Sequence, residues 1–112
     1  MSDAVALYDE ADRLKNEGKL EEAVPKFKES IEADPQYALP HSALAVVLQK
    51  LGQHDQAIAH AQHVCELQPN DPFSYTAMSV TYQRAYAGTN NMEYIRLAED
   101  AMEKSRTLQM GG

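Results

Sequence analysis

The 112-residue sequence predicts an all-α fold, an α-solenoid in which three helix-turn-helix units, six helices in all, stack into a superhelix. A repeat, a periodicity and a pattern of prolines point to it. Sliding the chain against itself by 34 residues pairs Ala11 with Ala45, Leu14 with Leu48, Gly18 with Gly52, Ala23 with Ala57 and Pro35 with Pro69. A fixed period of this size marks one supersecondary unit repeated along the chain. Within the period, apolar residues recur three and four apart, as they do on one face of a helix. Prolines, which break helix interiors but fit the first turn, punctuate the units in EADPQYALP and ELQPNDPFSY.

The first unit spans residues 4–37. Leu7, Ala11 and Leu14 form the stripe of its first helix, which stops at Gly18, a residue able to take the left-handed conformation that ends helices. Ala23, Phe27 and Ile31 line the second helix, where Pro25 either delays the start to about Ala23 or kinks the helix, and Pro35 closes the unit. The second unit, 38–71, repeats the scheme with Leu44, Ala45, Leu48 and Leu51, then Gly52, then Ala57, Ala61, Val64 and Cys65, closing at Pro69. Asp71 and Pro72 read as the N-cap and first turn of the next helix. The third unit, 72–110, is irregular. Tyr75, Met78, Ser79 and Tyr82 continue the pattern, but Tyr86 stands where glycine is expected and the turn moves to Gly88 in AGTNN. Placing Ala98, Met102 and Ser105 on Ala23, Phe27 and Ser30 implies seven extra residues, about two helical turns, so both helices are expected to be longer. Asn90 with Glu93 three positions on reads as a capping box, giving a last helix from about Asn91 to Thr107 and a fraying tail, LQMGG, with 109–112 outside the fold.

These residues resemble the tetratricopeptide repeat (TPR) family. Ala23, Phe27 and Pro35 match its A-x3-F…P pattern, and the second unit keeps Gly52, Ala57 and Pro69 while carrying Ala61 in place of the aromatic. The resemblance covers residues 4–110 and implies one TPR-like domain over 1–112, acting as a protein-interaction module without chemistry of its own. The initial Met1 points to a whole chain rather than an excised module.

Composition excludes several classes. A net charge of −7, with the acidic excess concentrated in the N-terminal third, argues against nucleic acid and anionic membrane as partners. No apolar run approaches the roughly 20 residues of a membrane span, and MSDAVALYDE has neither the basic nor the apolar region of a secretory leader, so the expected location is cytoplasmic. The single Cys65 lies on the core stripe and reads as a buried, inert thiol. His60 and His63 share one helix face, but two ligands make no metal site. With His41 and His54 they read as surface residues, with no Asp, Glu or Cys at the next turn of that face. Phosphate-binding loops, nucleophile elbows and paired carboxylates are absent, so no catalytic residue, cofactor or metal is expected.

The resemblance also implies a concave groove along the first helices of successive units. Its residues would be Val5, Leu39 and Phe73 at one level, then Tyr8, Ser42 and Thr76, then Asp12, Val46 and Val80, with Lys50 and Arg84 on one edge. Leu44, Ala45 and Leu48 already supply a packing stripe, which leaves Val46 over for a partner. TPR domains that clamp a chaperone's C-terminal carboxylate carry Lys, Asn and Arg at places that here hold Tyr8, Asp12, Ala43, Phe73 and Ala77, so no such clamp is implied. The expected partner is a peptide or helix with apolar anchors. The alternative is a self-associating unit, possible as a homodimer through the C-terminal helix, because no polar-faced capping helix follows residue 110 and Leu97, Ala101 and Leu108 would form an open edge.

Overall fold

A computed structural model describes residues 3–111, which form six helices: α1 Ala4–Asn16, α2 Leu20–Ala33, α3 Ala38–Lys50, α4 His54–Leu67, α5 Pro72–Thr89 and α6 Glu93–Gln109. They pack as three antiparallel pairs. α1 and α2 end in the same kind of turn as α3 and α4: Gly18 (φ 82°) and Gly52 (φ 79°) are left-handed. The Lys19 amide donates to Leu14 O at 2.9 Å and the Gln53 amide to Leu48 O at 2.8 Å, the Schellman closure that satisfies carbonyls at a helix end. Asp71 caps α5 through Oδ1, which accepts from the Phe73 amide at 2.9 Å, and Pro72 occupies the first turn.

The apolar stripes meet where predicted. Ala11, Ala23, Phe27, Leu44, Val47 and Leu48 form one buried cluster between the first two pairs, with Tyr8, Leu14, Val24 and Ile31 packed on it. Phe27 is fully enclosed and Tyr8 meets it ring to ring at 5.8 Å. Small polar groups tie the pairs at their margins: Ser30 Oγ donates to Ala4 O at 2.7 Å and Ser79 Oγ to Ala98 O at 2.8 Å.

Curvature follows from which helices touch. α1 contacts α3, and α3 contacts α5, whereas among the described residues α2, α4 and α6 do not approach one another at backbone level. The first helices of the pairs therefore line the inside of the array, and the second helices line the outside.

Four details differ from the sequence expectation. α2 starts at Leu20 rather than near Ala23 and continues through Pro25, which is exposed, so the Glu21 carbonyl left without a donor can be hydrated. The third turn falls not at Gly88 but at Asn90 (φ 61°); Gly88 is inside α5, where a Cβ would run into the His54 ring. α6 begins at Glu93 rather than near Asn91, with Met92 at its N-cap and no capping box at Asn90; the Glu93 amide donates instead to Asn91 Oδ1 at 3.1 Å. α6 runs through Gln109, so Leu108 and Gln109 belong to the helix rather than to a frayed tail, and Gly112 lies outside the described residues. The expected lengthening of the third pair is present, with 18 and 17 residues in α5 and α6 against 13 in α1 and α3.

Candidate functional site: the concave face

Along α3 the residues alternate sharply in exposure. Leu44, Val47 and Leu48 are fully buried while Val46, between them, is 40% exposed. Four residues make a little more than one helical turn, so a helix held by one stripe turns the intervening valine to the inside of the array. Val80, 34 residues on, repeats this at the same 40%. On α5, Phe73, Ala77, Val80 and Arg84 run along one exposed stripe, and the Phe73 ring is 72% exposed. Val5 and Leu39 are exposed at the matching level of α1 and α3.

The polar residues of this face divide into two groups. Asp12, at the place of the two valines, is half-buried and paired with Lys15 Nζ at 3.0 Å, and it accepts from Asn16 at 3.4 Å. Tyr8 beside it packs between Phe27 and Tyr37, and burial, followed by the charge of Asp12, pushes its hydroxyl pKa up. At the other end Lys50 and Arg84 are exposed and make no ion pair among the described residues. Ser42 is half-buried on α3. Thr76 departs from its row: its hydroxyl lies 2.8 Å from Ser105 Oγ and 3.3 Å from Pro72 O, which places it at the α5–α6 seam.

Between α3 and α5 the face opens into an apolar cavity of about 330 Å³, floored by Ala61 and Val64 of α4 and walled by Ala45, Val46, Ala77 and Val80. Ala45 and the α4 floor escaped sequence reasoning as groove residues. The signal was present, because Ala61 stands where the first unit has Phe27.

Contrary to the sequence expectation, His41, His60 and His63 cluster. They are not a set of surface residues. His41 is 2% exposed, its Nδ1 lies 3.1 Å from His60 Nδ1, and its ring packs on His63 at 4.8 Å. His63 is exposed and bonds Glu66 Oε1 at 3.1 Å, a carboxylate at the next turn of the face. Burial, then His41, His63 and Lys28, drives His60 down to about 4. Burial and His63 lower His41, opposed by the Pro35 carbonyl. The close pair is therefore neutral, one ring donating to the other. His41 Nε2 is buried without a hydrogen-bond partner among the described residues. No group of three ligating side chains able to hold a metal occurs among the described residues. Cys65 sits as expected, buried, donating to Ser74 O at 3.5 Å, its thiol pushed up to about 11 by burial and the nearby Asp71 and Glu66. No helix of the described residues is long and apolar enough to cross a membrane.

Comparison with known proteins agrees with this architecture. The tetratricopeptide repeat family model matches residues 14–79, more than half of the chain, and the chain belongs to that family. Among solved structures it is similar to MamA (TM-score 0.81, 19% identity, 96% of this chain and 59% of that one) and to residues 41–end of MamA from Desulfovibrio magneticus RS-1 (TM-score 0.73, 25% identity, 95% and 56%). It is also similar to the second TPR of Spaghetti (RPAP3) bound to the HSP90 peptide SRMEEVD (TM-score 0.74, 19% identity, 94% and 91%). The chain thus spans a little over half the length of the MamA structures. No curated protein matches its sequence.

Proposed function

We propose that this chain is a non-enzymatic protein-interaction module that binds an extended or helical segment of a protein partner along α1, α3 and α5. One observation carries the reading: of the seven large apolar side chains exposed among the described residues, five are Val5, Leu39, Val46, Phe73 and Val80, all on the concave face. Clustered apolar exposure marks an interaction surface. Lys50 and Arg84 at one end favour an acidic residue on the partner, and the net charge of −7 disfavours nucleic acid. A structure of a family member with a bound peptide supports the general mode. The places of a carboxylate clamp hold Tyr8, Asp12, Ala43, Phe73 and Ala77 here, and none supplies a Lys, Arg or Asn donor for a terminal carboxylate, so an internal segment fits better than a chain end.

An affinity pull-down from native lysate supplies the partner, and titration then tests the face. Phe73→Ala should weaken binding at least roughly thirtyfold, the loss of a central aromatic anchor, while Lys50→Ala should act mainly on association rate and salt dependence. His60 sits inside the histidine cluster, so the convex-face control is the exposed Ala59→Gln. Binding lost in Ala59→Gln and kept in Phe73→Ala moves the site to the outside.

A second reading is self-association through the C-terminal end, favoured by a cavity of about 560 Å³ bounded by Tyr86, Ile95 and Met102 on α5 and α6. Ala101 is 4% exposed and packed, so it is not part of an open edge; Leu97 and Leu108 are half-buried, as are Ile95 and Met102. Met102→Lys should dissociate any concentration-dependent dimer in light scattering. A monomer at every concentration rejects this reading.

A further inference from the structure

We infer that the cavity between α3 and α5 is an anchor pocket for one phenylalanine-sized side chain of an acidic partner segment. This rests on the groove reading above and adds the chemistry of the anchor. Position 61 follows Phe27 by one period of 34 residues. Phe27 is fully buried at the junction of the first two helix pairs, whereas Ala61 faces the junction of the second and third. The neighbours there are also small, Ala45 and Ala77 on the two walls, so no other side chain takes up the space, and about 330 Å³ stays open to the concave face. An apolar cavity of about 150 Å³ suffices to hold a benzene ring. The pocket therefore admits a phenyl ring with its stem.

Of its four polar lining residues, Ser74 and Thr81 are satisfied within the protein, while the half-buried Ser42 and Gln49 make no side-chain hydrogen bond among the described residues and stay hydrated toward the open side. Ser74 Oγ donates to Gln68 Oε1 at 3.2 Å and Thr81 Oγ1 to Ala77 O at 3.1 Å, so the occupant needs no hydrogen bond in the depth of the pocket. Charge at the rim then selects what flanks the ring. Lys50 lies four residues beyond Val46 and Arg84 four beyond Val80, one turn further along each wall. Neither has an acidic partner among the described residues. Two uncompensated cations at one end of an apolar hole favour a carboxylate close to the ring.

The test uses protein labelled with 13C at Ala and Val methyls, toluene, and two blocked peptides, Asp-Glu-Phe-Asp-Glu and the same peptide with Ala for Phe. Toluene and the Phe peptide should move the methyl resonances of Ala45, Ala61, Val64 and Val80, and the Ala peptide should bind on the order of thirtyfold more weakly. Ala61→Phe should remove both responses without lowering the melting temperature, since it restores the ring present at position 27. Methyls unmoved by toluene and the Phe peptide, or equal affinity for the two peptides, overturn the proposal even if Ala61→Phe fails to fold. Methyl shifts that depend on protein concentration without peptide would make a second copy the occupant and overturn the partner assignment. The two readings separate on a captured partner: binding lost in Phe73→Ala but kept in Ala61→Phe contradicts only the pocket, and binding kept in both contradicts the groove.

Discussion

The junction of the first two helix pairs and the junction of the second and third use the same positions of the repeat, yet one is filled and the other hollow. At the first, Phe27 is enclosed by Leu44, Val47 and Leu48 and met by Tyr8. At the second, Ala61 leaves about 330 Å³ open toward the concave face. The fold tolerates this because the third pair holds itself by other means: α5 and α6 are longer, and Ser79, Thr76 and Ser105 tie them together. A repeat position that builds core in one unit can be released for binding in the next when the following unit carries its own stability.

If the ring at position 27 holds the first junction, its removal is the most costly single change. Phe27→Ala should cost about 3–5 kcal/mol in chemical denaturation, as expected for deleting a fully buried ring. A loss below about 1 kcal/mol would mean that the first junction is not held by it. Next is pH. His41 and His60 are lowered in the folded state, so the unfolded chain takes up protons first. Stability is fully present above about pH 6.5 and falls as the pH drops toward the His60 value of about 4. Discounted for solvent screening at a partly exposed site, the expected loss is about 1–2 kcal/mol between pH 7 and pH 4.5, and His60→Gln should flatten the profile. A wild-type profile already flat over that range contradicts a neutral buried pair.

Gly52→Val should cost about 1–2 kcal/mol in a thermal melt. Space is not the reason, because nothing lies within 4 Å of an added Cβ; the left-handed backbone is. Smallest of all, Phe73→Ala should change stability by no more than about 0.5 kcal/mol, because its ring is 72% exposed. A larger loss would make Phe73 a structural residue and weaken the case for it as an anchor.

Much of this was legible in the residues. The 34-residue offset and the stripes were legible: Leu44, Ala45 and Leu48 read as the core stripe and Val46 as the residue left over, whereas the fully buried Val47 was missed. What else escaped needed two helices at once. His41 on α3 meets His60 and His63 on α4, and no single-helix pattern announces a contact across the pair. Gly88 was legible as a special position, but its reason, the His54 ring packed against α5, lies more than thirty residues away in sequence. Ala61 was visible as a departure from the repeat pattern. Its consequence appeared only when α3, α4 and α5 were placed around it.

Whether partners bind on the concave face is read out by mapping a captured partner's binding segment onto the methyl resonances of the unaltered protein. A concave site gives shifts at Val5, Leu39, Val46, Val64 and Val80, with Ala59 on the convex side unmoved. Shifts confined to Ala59 and its neighbours on the outer face of α4, with the valines of α3 and α5 still, would contradict it.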